Sequence, residues 1–230
     1  MERSSPANSP GQTGDLVRST LPSRQLELSP VLRKFHRAIL NLFLSTGRPP
    51  GHNELRAPAA ELGLDAGEAM RELARVDLVH ADAGGRITVA YPFSGDDRGI
   101  HVQQADGPGV WAMCAIDALG IPQMSGRDVV ITATDPASHE PVTVESRDGQ
   151  LTWQPRSAVV LVANNGHSGT SAECLCPLIT FHTTEQNALD HLAAQPGVTG
   201  QVVSQAKAYE LAGATFGSLL TSQPEPAPER

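Results

Sequence analysis

Apolar residues recur at helical spacing through Val31, Leu32, Phe35, Ile39, Leu42 and Phe43. Behind a Ser29-Pro30 start they predict an amphipathic helix over Ser29 to Leu44, which Gly47-Arg48-Pro49-Pro50 ends. His52 to Leu64 and Asp65 to Val79 read as two shorter helices joined at Gly63, the second capped by Asp65. Ala81 to Tyr91 alternates around Gly84-Gly85 as a hairpin. That order predicts a winged-helix-like module over residues 26–94, with the polar stretch Ser94 to Gly99 marking its boundary.

Past the boundary the pattern changes to short Val- and Ile-rich runs between turn clusters. His101 to Gln104, Arg127 to Thr134, Val142 to Ser146, Ala158 to Ala163 and Gln201 to Ser204 read as strands. Val110 to Gly120 reads as a buried helix, bounded by Pro108-Gly109 and by Gly120 and Pro122. Thr183-x-x-Gln186 is a capping box opening a helix to Ala194, and Ala206 to Leu220 reads as a closing amphipathic helix. The expected fold is α+β: the N-terminal helical module packed on a C-terminal domain, residues 95–221, of mostly antiparallel strands with flanking helices. Residues Met1 to Gln25 and 222–230 lack an apolar period, read as disordered tails and are given no function.

Charge and length narrow the function. With 17 Lys+Arg against 25 Asp+Glu the net charge is −8, the wrong sign for a chain that tracks phosphates, so no nucleic-acid partner is expected. In the second short helix Arg71 and Arg75 sit among Glu68, Glu72 and Asp77, which argues against a basic recognition helix. No stretch has the apolar length a bilayer needs and no secretory leader is visible, so the protein is expected to be cytoplasmic, without a membrane partner. Three cysteines are too few, and odd in number, for a disulfide framework, and in a reducing compartment they are thiols.

Candidate chemistry concentrates in Val110 to Gly120. Cys114 and Asp117 are three residues apart and share a helix face, where the helix N-terminus can lower a thiol's pKa. An isolated Cys is usually a small hydrophobe, but an Asp on a buried face costs free energy unless paired or protonated, and a protonated carboxyl beside a thiolate can donate a proton. A second thiol, Cys176, follows the turn-rich stretch Asn164 to Ser171, and Pro177 restrains its backbone toward an extended shape. Soft thiolates select soft metal ions.

At these residues the chain resembles the organomercurial (alkylmercury) lyases. Trp111, Cys114, Ala115, Ile116, Asp117, Ala118 and Leu119 match that family's aromatic and Cys-Ala-Ile-Asp-Ala-Leu motif nearly position for position. Cys176 followed by Phe181 matches its looser second motif, and the likeness runs from Leu28 to Leu220. Many members carry a structural cysteine where this chain has Asp135. The resemblance implies protonolysis of a carbon–mercury bond, with Cys176 attacking mercury first, Cys114 second, and Asp117 carrying the proton to carbon. Cys114, Cys176 and Asp117 would be the residues in contact with the metal. It implies no resident cofactor, organomercurial small molecules as substrates, small thiols as reductant and mercury acceptor, and a mercuric reductase as a candidate acceptor of the product.

Other readings use the same residues differently. A mercury- or other soft-metal-sequestering protein needs the cysteines but not Asp117, and a metal-responsive winged-helix regulator would use the N-terminal module. Cys174 with Cys176 forms only a Cys-x-Cys, a weak metal signature, so Cys174 is read as incidental, with relay of mercury outward as the lesser alternative. His139, His167 and His182 read as solvated loop or strand-end residues. Neither a phosphate-binding glycine loop nor a G-x-S-x-G elbow occurs.

Overall fold

The computed structural model describes residues 21–220; residues 1–20 and 221–230, most of the two expected tails, lie outside the described residues. Helix α1, Leu21–Glu27, already corrects the N-terminal boundary, because residues up to Gln25 were expected to be tail. Gln25 is buried and its amide donates to His36 Nδ1 at 3.2 Å and to the Leu219 carbonyl at 3.4 Å. The sequence hides this: α1 is seven residues long, too short to display a period, and is held by contacts distant in sequence.

Helix α2, Pro30–Thr46, starts at Ser29, whose hydroxyl accepts from the Leu32 N–H, and ends at Gly47. Gly47 has φ 74°, and a Cβ there would strike the Gly109 carbonyl and Pro108 at 2.7 Å, so only glycine fits. Helices α3, His52–Glu61, and α4, Ala66–Arg75, follow, with Asp65 capping α4 through the Glu68 N–H. On α4, Arg75 pairs with Glu72 at 2.7 Å and Arg71 lies 3.8 Å from Glu68, so its cations are locally partnered.

Strands β1, Val79–Ala81, and β2, Ile87–Ala90, form the expected hairpin. The hairpin is not a free wing. β2 pairs with β3, Phe93–Ser94, which pairs with β5, Gly109–Ala112, and β5 pairs with β4, His101–Gln104. The sheet continues through β6, Val129–Thr134, β7, Pro141–Arg147, and β8, Gln150–Gln154, in the order β1-β2-β3-β5-β4-β6-β7-β8. All its pairings are antiparallel. It therefore runs through the expected boundary at Ser94 to Gly99 without a break, and one apolar core spans Leu28 to Leu219. Phe43 of α2 stacks on Phe93 with ring centroids 5.1 Å apart, fastening the N-terminal helices to the sheet.

β8 has no counterpart in the sequence reading. Its turn, Asp148-Gly149, has φ 49° and 74°, the left-handed pair that makes a tight hairpin between β7 and β8.

A second sheet, β10-β9-β11, is built from β9, Val159–Asn164, β10, Ile179–His182, and β11, Thr199–Val203. β9 reads as a continuous apolar run because both its faces are covered. Val160 and Val162 enter the main core, and Leu161 and Ala163 meet Ala188 of the helix Glu185–Ala193 on the other side. Between the sheets lies α5, Ala115–Ser125, buried almost all round.

Two limits of α5 differ from expectation. Its first residue is Ala115, because Gly109–Ala112 is a strand, and its last is Ser125, with Gly126 at φ 67° closing it. Gly120 and Pro122 lie inside the helix. Gly120 is a packing glycine rather than a terminator: a Cβ there would sit 2.3 Å from the ring of Phe216, on the C-terminal helix Gln205–Phe216.

Candidate active site

The strand-to-helix junction at Cys114 creates the site. Cys114 has an extended backbone, φ −156° and ψ −180°, and is the N-cap of α5 rather than a residue within its first turn. Its sulfur accepts from the Asp117 N–H at 3.4 Å, and its S–H donates to Asp117 Oδ2 at 2.5 Å. The thiol thus caps the helix in the manner of a Ser or Asp N-cap, and the Asp117 carboxylate reaches back to the S–H rather than to the backbone N–H that a Ser-x-x-Glu box would use. Cysteine is not among the residues that ordinarily signal an N-cap, so nothing in the sequence marks Cys114-x-x-Asp117 as one.

Cys176 arrives from the other side. A single helical turn, α6, Ser171–Cys174, leads through Leu175 into a short 3-10 turn, Cys176–Leu178, and only then into β10. The extended shape expected for Cys176 from Pro177 is therefore not adopted; the turn is fixed by Leu178 N–H donating to the Leu175 carbonyl at 2.9 Å. Cys176 Sγ lies 3.9 Å from Asp117 Oδ2. The two sulfurs and a carboxylate oxygen all lie within 4.8 Å of one another, and all three residues are buried.

Burial decides their charge. It raises the pKa of Asp117 to about 7, because hydrogen bonds from Cys114, from its own N–H and from Cys176 do not offset the loss of water. Burial also pushes the Cys114 thiol well up, assisted by its bond to Cys176 and by the nearby carboxylate; the lowering expected from the helix N-terminus is outweighed. At Cys176 the bond from Cys114 pulls down, but burial and the charges of Asp117 and Asp77 leave its thiol raised. Around neutral pH the trio thus holds two thiols and a carboxyl group poised between its two protonation states.

These groups open on a cavity of about 30 Å³, walled by Tyr91, Ile116, Leu175, Ile179 and Phe216 beside the three polar residues. Of those walls only Ile116 belongs to a motif read from sequence; Tyr91, Leu175, Ile179 and Phe216 look locally like ordinary apolar positions. Trp111 is not part of the lining and packs edge-on against His101, centroids 4.8 Å apart. Cys174 stands outside the trio, half-buried against Gly169.

His182 corrects a further expectation. It is fully buried and hydrogen-bonds Asp135 through Nδ1 at 3.0 Å, whereas His139 and His167 are exposed as expected. Asp135 also accepts from Thr183 N–H and Oγ1 and from Asn187 Nδ2, all at 2.8–2.9 Å. Because Thr183 is spent on Asp135, the cap of the following helix is Thr184, one residue later than the expected box.

The solved crystal structure of the mercury-bound form of MerB2 superposes with a TM-score of 0.68 at 19% identity, covering 91% of this chain and 97% of that one, and so shares the fold. An alkylmercury lyase of Bacillus cereus is 30% identical over 112 residues, 48% of this chain and 50% of the relative. One from Streptomyces lividans is 28% identical over 127 residues, 55% and 58% of the two chains, and one from Staphylococcus epidermidis is 28% identical over 170 residues, 70% and 77%. The chain thus spans about half the length of the first of these relatives. A sequence model of the alkylmercury lyases matches residues 93–217, more than half of the chain and the whole path from β3 to the end of the C-terminal helix; this protein belongs to the alkylmercury lyase family.

Proposed function

We propose that this protein cleaves carbon–mercury bonds by protonolysis, with Cys114, Cys176 and Asp117 as its catalytic residues. The observation that carries the reading is that one carboxyl oxygen, Asp117 Oδ2, contacts both thiols, at 2.5 and 3.9 Å, while its pKa stands near 7. A sequestering site has no use for a buried carboxyl group that destabilises the fold when ionised; a proton-transfer site does.

The steps balance as follows. An organomercurial R–Hg–X exchanges X⁻ for the Cys176 sulfur, whose proton leaves with X⁻. Cys114 passes its proton to Asp117 along the 2.5 Å contact and its sulfur joins the mercury. With two thiolates on the metal, electron density shifts to the bound carbon, and Asp117 delivers the proton there. R–H departs and mercury(II) stays bridged between the sulfurs. Two small thiols then take the metal as a dithiolate and return two protons to the cysteines. Nothing in these steps calls for a resident cofactor. A mercuric reductase downstream and a reducing cytoplasmic setting belong to the same proposal. Among the described residues no helix is long and apolar enough to cross a membrane.

The direct test is incubation of the reduced protein with phenylmercuric acetate and excess small thiol. Benzene released in proportion to enzyme supports the reading. Stoichiometric mercury uptake without benzene selects the sequestering alternative.

A further inference from the structure

The segment that brings Cys176 to the site cannot hold itself. Helix α6 is one turn of four residues, and its N-cap, Thr170, makes no side-chain cap bond; the Thr170 hydroxyl instead donates to Glu173 at 2.9 Å. The first two N–H groups of α6 are satisfied from far along the chain. Ser171 N–H donates to Asp77 Oδ2 at 3.1 Å, and Ala172 N–H donates to the Tyr91 hydroxyl at 2.6 Å. Asp77 also accepts from the Ser171 hydroxyl at 2.8 Å.

The two capping groups are themselves fixed. The Tyr91 hydroxyl donates to Asp77 Oδ1 at 3.3 Å, and His80 Nε2 contacts the same oxygen at 2.6 Å. Arg24 of α1 reaches Asp77 Oδ2 at 2.6 Å and Ser171 Oγ at 3.1 Å. Burial works against the charge on Asp77, but the bonds from His80 and Ser171 and the charge of Arg24 outweigh it, so the carboxylate stays ionised. Asp77 occupies the loop between α4 and β1 with φ 54°, a left-handed conformation that Asp and Asn tolerate better than other residues with a Cβ. Tyr91 is 1% exposed and its ring walls the cavity beside Cys176.

We propose that Asp77 and Tyr91 form a tertiary cap on α6, completed by Arg24, that positions the Cys176 thiol against Asp117. Its catalytic consequence rests on the lyase reading, whereas the positioning itself does not. The N-terminal helices then do more than cover the core: they supply the fixed end from which the second thiol is hung. Neither residue takes part in bond making, so both are positioning residues.

The test uses the full chain and two substitutions, Asp77→Asn and Tyr91→Phe. Asn keeps the left-handed backbone and side-chain shape, and Phe keeps the cavity wall. The three thiols are alkylated in the native state with iodoacetamide and followed separately by peptide mass spectrometry. Each variant is expected to alkylate Cys176 about tenfold faster than wild type, the scale of a lost helix cap, with Cys114 within about twofold. The double variant should be no worse than either single one, because the two residues act on one turn. Benzene release should fall about tenfold in kcat.

An unchanged Cys176 rate overturns the proposal, and so does an equal rise at Cys114, which reports general loosening. If wild type releases no benzene yet Cys176 alone responds, the cap stands and the lyase reading falls. If wild type releases benzene and Cys176 does not respond, the lyase reading stands and the cap falls.

Discussion

Replacing Asp117 with Asn tests the chemistry and the electrostatics of the site together. Asn keeps the size and an acceptor oxygen for the Cys114 thiol but has no titratable proton. Benzene release should fall about 100- to 10,000-fold, the range of a positioned general acid, while mercury(II) still binds through Cys114 and Cys176. Stability should move the other way. Burial raises the carboxyl pKa from 3.8 to about 7, so its ionised form weighs against folding. The penalty is absent below the unfolded pKa, grows as pH rises, and saturates above the folded one. At about 1.4 kcal/mol per pKa unit it comes to roughly 4 kcal/mol at pH 8 and about 2 kcal/mol at pH 5. Asn pays a fixed polar burial cost at both, so the variant's Tm relative to wild type should rise by about 4–8 °C between pH 5 and pH 8. Thermal melts across that range, with benzene release by gas chromatography, measure both. A Tm difference that does not change with pH refutes the high-pKa carboxyl. Benzene release within a few-fold of wild type refutes its role as the donor.

Cys176→Ser should abolish turnover and sharply weaken mercury(II) binding, since a hydroxyl is a poor ligand for a soft metal, while Cys174→Ser keeps most activity; steady-state assays and mercury titration decide, and the reverse outcome would exchange the two residues' roles. Gly120→Ala should lower Tm by about 2–12 °C, the cost of forcing a methyl group into the Phe216 ring, and an unchanged melt would show that α5 and the C-terminal helix can slide apart freely. Truncation through Gln25 should lower Tm and speed Cys176 alkylation, because it removes Arg24 from Asp77 and Gln25 from His36; truncation before Leu21 leaves those contacts in place and should spare both readouts.

What could be read from the sequence was whatever the chain encodes locally. The α2 pattern, the Asp65 cap and the Val- and Ile-rich strands each declare themselves within a dozen residues, and all are found near their expected limits. Errors gather where distant contacts decide. α1 exists because Gln25 meets Leu219; Gly120 continues a helix because Phe216 lies against it; Thr183 gives up its cap for Asp135. In the site, the Cys114–Asp117 half was legible as a spacing of three, and Cys176 only through a loose motif. The lowering expected of the Cys114 thiol is not found because desolvation of a fully buried sulfur is the larger effect.

Asp117 and Asp135 show why burial alone does not mark a functional carboxylate. Both are essentially inaccessible, at 3% and 0% exposure, Asp117 in the first turn of α5 and Asp135 just past the end of β6. For Asp135 burial opposes the charge, but donors from Thr183, Asn187 and Ala137 outweigh it and hold the group well below the usual carboxylate range. It is ionised at any pH the protein meets, and its contribution to stability is present above the unfolded pKa and lost only in strong acid. His182 beside it is held toward neutrality by burial, partly offset by that carboxylate, so the pair is a structural joint between β6 and β10. Asp117 has two thiols and its own N–H where Asp135 has amides and a hydroxyl. Thiols are weak donors that can themselves lose the proton, so they neither fix the charge nor remove the cost of burying it. A carboxyl group left in that condition exchanges protons with its neighbours near neutral pH, whereas one surrounded by amides cannot. The partner set, more than depth in the core, fixes the charge of Asp135 and leaves Asp117 with a proton it can exchange, which is the property the proposed chemistry requires.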